Sequence, residues 1–249
     1  MHLFQAFKRQ IPNCITLCNL LCGVLAIYYA IQYQAYDGRL HYAAYFILLG
    51  IFFDFFDGLF ARLLHVSVSS NIGKELDSLA DVITSGVAPG FILYEILATA
   101  EGLPYLKYVA LLMPAFAAYR LAKFNLDIRQ GHSFLGLPAP SNALVWVGFA
   151  IIFSCAPAEK TDWLFNNAGL ICLAILSLVT DILMTSDIPM FSLKFNFKDL
   201  SWKSNRIQYI FLVGSLMLII FLIQYSISLI ILWYVILSLL TQKKPSANE

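Results

Sequence analysis

Asp54-Phe55-Phe56-Asp57-Gly58-Leu59-Phe60-Ala61-Arg62, followed after a ten-residue spacer by Gly73-Lys74-Glu75-Leu76-Asp77-Ser78-Leu79-Ala80-Asp81, decides how this chain folds. Each segment carries two aspartates three or four positions apart, and at 3.6 residues per turn such a pair projects from one helix face. Both pairs lie in apolar sequence. An aspartate at the centre of a membrane helix costs about 2.5 to 3.5 kcal/mol, so four of them require neutralisation. The neighbouring cations Arg62 and Lys74 are outnumbered, because Glu75 adds to the acid. Bound divalent metal supplies the missing charge. Four carboxylates offer only oxygen donors, which suits Mg²⁺, Mn²⁺ or Ca²⁺ and argues against zinc. Two ions shared among four carboxylates clamp the attacking and leaving oxygens of an in-line displacement, so the stretch predicts phosphorus chemistry at a membrane.

Composition agrees with a bilayer setting. Of 249 residues 60% are hydrophobic and only 12% charged, about half the charged share of a soluble domain. A net charge of only +1 gives nucleic acid binding no support. Cys14, Cys18 and Cys22 fall at i, i+4 and i+8 on one helix face, where small side chains let helices pack closely. No CxxC pair occurs, and Cys155 and Cys172 stand apart, so neither a disulfide framework nor a zinc site is expected.

Eight apolar runs are long enough to be spans: 11–31, 42–64, 76–98, 104–124, 141–156, 164–184, 207–223 and 225–240. Residues 1–10 read as a short helix on the membrane surface, leading into a retained anchor rather than a cleaved signal peptide. Pro114 is expected to kink the fourth span. Glu95 and Asp181, near span ends, read as interfacial or packing residues.

Charge sets the orientation. With eight spans and both termini cytoplasmic, only Arg39, Lys107 and Lys160 lie outside, and the other 13 of the 16 basic residues lie inside. Fusing the last two runs into one helix would weaken that split, so they are kept as two. The expectation is an all-α, polytopic membrane helical bundle, with residues 1–249 as one domain. Both aspartate pairs then meet at the cytoplasmic face. The spacer, with Ser67, Ser69, Ser70 and Asn71, reads as a polar turn, and His65 as a loop residue. Residues 196–206 read as a basic inner loop touching anionic headgroups.

The pattern DxxDGxxAR followed by GxxxDxxxD resembles the signature of the CDP-alcohol phosphotransferases, with every fixed letter present. The spacer is longer than is usual there, but an insertion between two helices moves no aspartate along its own helix. The likeness continues through Gly86-Val87-Ala88-Pro89, Arg120-Leu121-Ala122-Lys123-Phe124-Asn125 and Gly136-Leu137-Pro138-Ala139-Pro140, with Pro12-Asn13 and Thr16 near the start. This fuller set is similar to the integral-membrane subgroup whose donor is CDP-diacylglycerol and whose acceptor alcohol is L-serine. It covers roughly residues 11–142.

The resemblance implies a six-helix core with extra C-terminal spans, a homodimer among membrane lipids, and an active site facing the cytoplasm. It makes Asp54, Asp57, Asp77 and Asp81 ligands of two divalent ions, Mg²⁺ or Mn²⁺, with Ca²⁺ as another occupant. Asp81 is expected to be the general base that takes the proton of the serine hydroxyl as CMP leaves. Gly58 and Ala61, lacking bulk beside Asp57, would neighbour the nucleotide together with Arg62, Gly73, Asn13 and Thr16. Helix packing or capping is the plainer role for Gly58, Ala61, Asn13 and Thr16. Arg120, Lys123 and Asn125 would hold the acceptor, although basic residues there also satisfy the positive-inside rule. Two rival readings remain. Another acceptor alcohol, such as glycerol 3-phosphate or inositol, would use the same acids. A divalent-cation transporter would also need intramembrane acids, but no symmetric second half carries matching broken helices.

Overall fold

The computed structural model describes residues 2–34, 40–63, 71–126, 134–191, 202–223 and 225–241. These are helical almost throughout, as expected where no water is available to satisfy backbone groups. α1 (His2–Ile31) runs into a 3₁₀ turn (Gln32–Gln34), and α2 (Leu40–Leu63) packs along it. α3 (Asn71–Val82), a π-helical segment (Ile83–Val87) and α4 (Ala88–Leu97) make one continuous rod. A 3₁₀ segment (Leu106–Leu111) leads into α5 (Leu112–Leu126), followed by β1 (Phe134–Leu135), α6 (Ala139–Cys155), α7 (Ala158–Phe165) and α8 (Asn167–Thr185). β2 (Pro189–Met190), α9 (Trp202–Phe221) and α10 (Ser226–Leu240) complete the described chain.

Four helical stretches, Gln10–Ile31, Leu40–Phe60, Ile72–Leu97 and Asn167–Thr185, are long and apolar enough to cross a membrane. Ala139–Cys155, Asn205–Phe221 and Ser226–Leu240 are shorter apolar helices. This fits an integral membrane protein. The Ile72–Leu97 rod is 61% buried, against 28% to 50% for the other three, so it stands at the centre and the rest pack around it. The packing surfaces are rich in alanine, with Ala26, Ala30, Ala43, Ala44, Ala88, Ala143 and Ala150 all fully buried. Small side chains bring helix backbones close where lipid offers no hydrophobic drive for association. Leu21, Tyr28, Phe52 and Phe55 point outward instead.

Several local features differ from the sequence expectation. The N-terminal residues are not a separate surface helix: α1 continues from His2 through Pro12 into the apolar stretch. Pro114 does not kink a long fourth helix. It occupies the first turn of α5, where helix N–H groups lack intrahelical partners and a proline costs little, and the turn before it is 3₁₀. The third run is interrupted by the π-helical segment because Pro89 has no N–H to give the Ser85 carbonyl. The helix widens, and the Ala88 N–H reaches back to the Ile83 oxygen. A two-residue antiparallel pairing, Phe134 with Met190 and Leu135 with Pro189, departs from an all-α reading among the described residues. Gly136 makes this tie possible: its φ of +72° suits glycine, and a Cβ there would strike the Met184 and Ser186 carbonyls.

The last two runs are separate helices. Gly214 lies against the Trp233 indole, and these positions are nearly equidistant from the turn after Phe221, so α9 and α10 form an antiparallel hairpin. α10 docks on α6, where Ser228 Oγ donates to the Val145 oxygen at 2.7 Å. Of the interfacial and packing roles expected for Asp181 and Glu95, burial favours packing: Asp181 is fully buried on α8, and Glu95 is 5% exposed on α4.

Candidate metal centre

α2 delivers Asp54 and Asp57 from one face of its last turns, and α3 delivers Asp77 and Asp81 one turn apart. The two helices bring one carboxylate oxygen each from Asp54, Asp57 and Asp77 within 4.8 Å of one another. Asp81, one turn on from Asp77, lies near enough for its charge to act on Asp54, so the fourth acid adjoins this group. Oxygen is the sole donor type in this group, and Asp77 Oδ1 is buried with no hydrogen-bond partner among the described residues. A buried acceptor without a donor is costly, and a hard cation satisfies it. The residues present therefore fit one or more divalent ions, with no preference among Mg²⁺, Mn²⁺ and Ca²⁺.

α1 supplies the supports. Thr16, buried at 4% exposure, places Oγ1 2.6 Å from Asp57 Oδ2 and 3.0 Å from the Pro12 carbonyl. Its single hydroxyl proton serves the shorter contact to the carboxylate. Three residues on, Asn19 Nδ2 donates to Asp81 Oδ1 at 3.3 Å. Each bond fixes one oxygen of an acid and leaves the other for a ligand. Asn19 is pinned in turn, because Thr84 Oγ1 of the π-helical segment donates to the Asn19 carbonyl at 3.0 Å. This crossing of three segments needs glycine: a Cβ on Gly50 would lie 2.6 Å from Thr84 Cγ2, and one on Gly23 would lie 2.6 Å from Thr84 Oγ1.

The other expected site residues are placed as follows. Gly58 is exposed, and a Cβ there would meet nothing within 4 Å among the described residues, which leaves the face beside Asp57 open to an approaching group. Gly73 lies in the first turn of α3. Asn13 bonds locally to Gln10 Oε1 at 3.3 Å. Arg120 is buried with its guanidinium over the Phe124 ring at 5.4 Å, and its charge reaches Asp81. Lys123 is engaged elsewhere, with Asp187 Oδ1 at 2.8 Å and the Thr185 carbonyl at 3.1 Å. Asn125 Nδ2 donates to Ser78 Oγ at 2.7 Å, and the Asn125 carbonyl accepts from Lys74, so this residue clasps α5 to the start of α3. The side chains of Ala61 and Arg62, the spacer 64–70 with His65, and most of the basic loop 196–206 lie outside the described residues.

Asn19 and Thr84 are supports that the sequence reading did not single out. A signal was present for Asn19, since it is a polar residue in an apolar run on the same helix face as Thr16. Nothing marked Thr84, whose position depends on the widened turn.

The fold and the site together define a helical membrane protein with an all-carboxylate centre suited to hard cations. The family model for CDP-alcohol phosphatidyltransferase matches residues 9–182. The chain belongs to that family. Among curated proteins it is 39% identical over 133 residues to the CDP-diacylglycerol–serine O-phosphatidyltransferase of Bacillus subtilis (strain 168), covering 53% of this chain and 70% of that one. It is 29% identical over 248 residues to the enzyme of the same name from Helicobacter pylori (strain ATCC 700392 / 26695), covering 95% and 96%. It is 34% identical over 140 residues to the archaetidylserine synthase of Methanothermobacter thermautotrophicus, covering 56% and 57%. No solved structure matches the chain.

Proposed function

We propose that this protein transfers a phosphatidyl group from CDP-diacylglycerol to the hydroxyl of L-serine, giving phosphatidylserine and CMP. The observation that carries the reading is the convergence of Asp54, Asp57 and Asp77 within 4.8 Å, with Asp81 joined through Asp54. Serine as acceptor rests on the relatives, whose names share serine while the lipid part differs between phosphatidyl and archaetidyl.

In this reading Asp54, Asp57, Asp77 and Asp81 hold divalent ions, Mg²⁺ or Mn²⁺. When bound, such ions supply Lewis-acid stabilisation of the charge that develops on the phosphoryl oxygens. Asp81 accepts the serine hydroxyl proton as that oxygen forms its bond to the lipid-side phosphorus. The bond from that phosphorus to the bridging oxygen breaks, and CMP leaves with the electron pair. Thr16 and Asn19 keep Asp57 and Asp81 oriented, so little reorganisation is needed at the moment of reaction. The open face at Gly58 admits the diphosphate, with Arg62 and Gly73 beside it, and Arg120 attracts the acceptor carboxylate. Eight spans with both termini cytoplasmic would put this site at the inner leaflet, where a soluble amino acid and a lipid can both reach it. All four acids and their supports come from one chain, so a homodimer would not be needed to complete the site.

The test is to supply purified protein with CDP-diacylglycerol, Mg²⁺ or Mn²⁺, and a panel of alcohols. CMP release with L-serine, and with neither glycerol 3-phosphate nor inositol, is expected. Release with one of those alcohols and not with serine would reassign the acceptor, and divalent-ion flux through vesicles without turnover would favour the transporter.

A further inference from the structure

A second acid lies buried away from the metal centre. Asp181 of α8 has no exposed surface, and among the described residues its two oxygens receive only weak neutral hydrogen bonds, from Asn142 Nδ2 of α6 and from Ser177 Oγ, both at 3.4 Å. Among the described residues no cation lies within ion-pairing distance of it. Beside it, Asn142 is likewise fully buried and its Oδ1 has no partner among the described residues. Two acceptor groups side by side in an apolar interior call for a positively charged donor.

A buried cation with the complementary deficit stands on the neighbouring helix. α5 packs against α8, and the two run parallel. At one end Asn167, opening α8, exchanges hydrogen bonds with the Glu101 backbone just ahead of the 3₁₀ segment, at 2.9 and 3.1 Å. At the other end Lys123 of α5 bonds the Thr185 carbonyl of α8. Arg120 lies one turn before Lys123, and Asp181 lies one turn before Thr185, so both sit at the same level of the bundle. Arg120 is 8% exposed, its Nε has no partner among the described residues, and its charge reaches Asp81. A buried arginine and a buried aspartate at one depth, not paired with each other, are matched by a ligand that carries both charges.

Building on serine as the acceptor, we propose that Arg120, Asp181 and Asn142 form a zwitterion site that selects an amino acid over other alcohols. Arg120 takes the carboxylate. Asp181 and the Asn142 carbonyl take the ammonium, and the hydroxyl is left toward Asp81. An acceptor without an ammonium leaves Asp181 unpaired, and one without a carboxylate leaves Arg120 unpaired. Sites built on buried polar groups reject such analogues strongly.

The experiment compares L-serine, glycerate (a hydroxyl in place of the ammonium) and ethanolamine (no carboxylate) as acceptors for the full-length protein in CDP-diacylglycerol micelles. The unaltered enzyme should prefer serine over both analogues. Asp181→Asn should raise the serine KM roughly 10- to 100-fold, leave the KM for CDP-diacylglycerol near its starting value, and narrow the preference for serine over glycerate. Asn142→Ala and Ser177→Ala should move that ratio the same way by less, and they carry the test should Asp181→Asn not fold. An unchanged serine-to-glycerate ratio in the folded variants would overturn the site. Failure of the unaltered enzyme to use serine, with turnover of another alcohol, would instead overturn the acceptor reading beneath it.

Discussion

The bundle buries two acidic centres, and they are built in opposite ways. The Asp54–Asp81 group concentrates four carboxylates, steadies two of them with short-range donors from α1, and presents an open face at Gly58. Asp181 stands alone, held by two 3.4 Å contacts and closed to the surface. The first arrangement suits cations whose chemistry any acceptor alcohol would share. The second suits recognition, because a lone buried charge gains most when one particular partner arrives.

That contrast can be broken at its strongest point first. Asp57→Asn removes a proposed ligand without changing shape, and CMP release should fall by at least about 10²- to 10³-fold while the protein still inserts. Near-normal turnover would refute the ligand assignment. Thr16→Val, nearly the same size, removes only the donor to Asp57. The concentration of Mg²⁺ or Mn²⁺ needed for half-maximal activity should rise by roughly 10- to 100-fold. An unchanged metal-activation curve would reduce Thr16 to packing.

Smaller effects sharpen the comparison. Gly50→Ala forces a methyl against Thr84 Cγ2 and should cost about 1 to 3 kcal/mol of stability, read as a lower melting temperature in detergent. Thr84→Ser in the same chain should recover part of that loss, because it removes Cγ2 and keeps the hydroxyl bonded to Asn19. No recovery would show that Thr84 is not the obstacle. Least of all, Ser228→Ala loses the bond from α10 to Val145 and should cost about 1 kcal/mol, with the serine KM unchanged. A shift in that KM would tie the C-terminal hairpin to the acceptor site.

What the sequence revealed follows the same division. The tetrad was legible because paired aspartates at helical spacing in apolar sequence have no ordinary structural use. Of the eight apolar runs, four fall on helices long and apolar enough to cross a membrane and three on shorter apolar helices, while run 104–124 is divided between a 3₁₀ segment and α5. The π-helical segment was not, because Pro89 reads as one proline in a long run. Only the fold shows that its missing N–H is absorbed by widening the turn rather than by breaking the rod. Pro114 misled for a related reason, since the 3₁₀ start of its segment moved it from mid-helix to the first turn. Thr16 was noticed, but its partner 41 residues away was invisible until α1 and α2 were packed together. For Asp181 the sequence left interfacial and packing roles both open because it lies four residues from the end of its helix, and burial by α6 is a tertiary fact.

The central claim is that acids from α2 and α3 jointly hold divalent cations. Titrating Mn²⁺ into the purified protein and following loss of the free-ion paramagnetic resonance signal tests it without any substrate. The unaltered protein should take up Mn²⁺, and Asp54→Asn and Asp77→Asn, one on each helix, should each abolish most of that uptake. Equal uptake by all three proteins would contradict it.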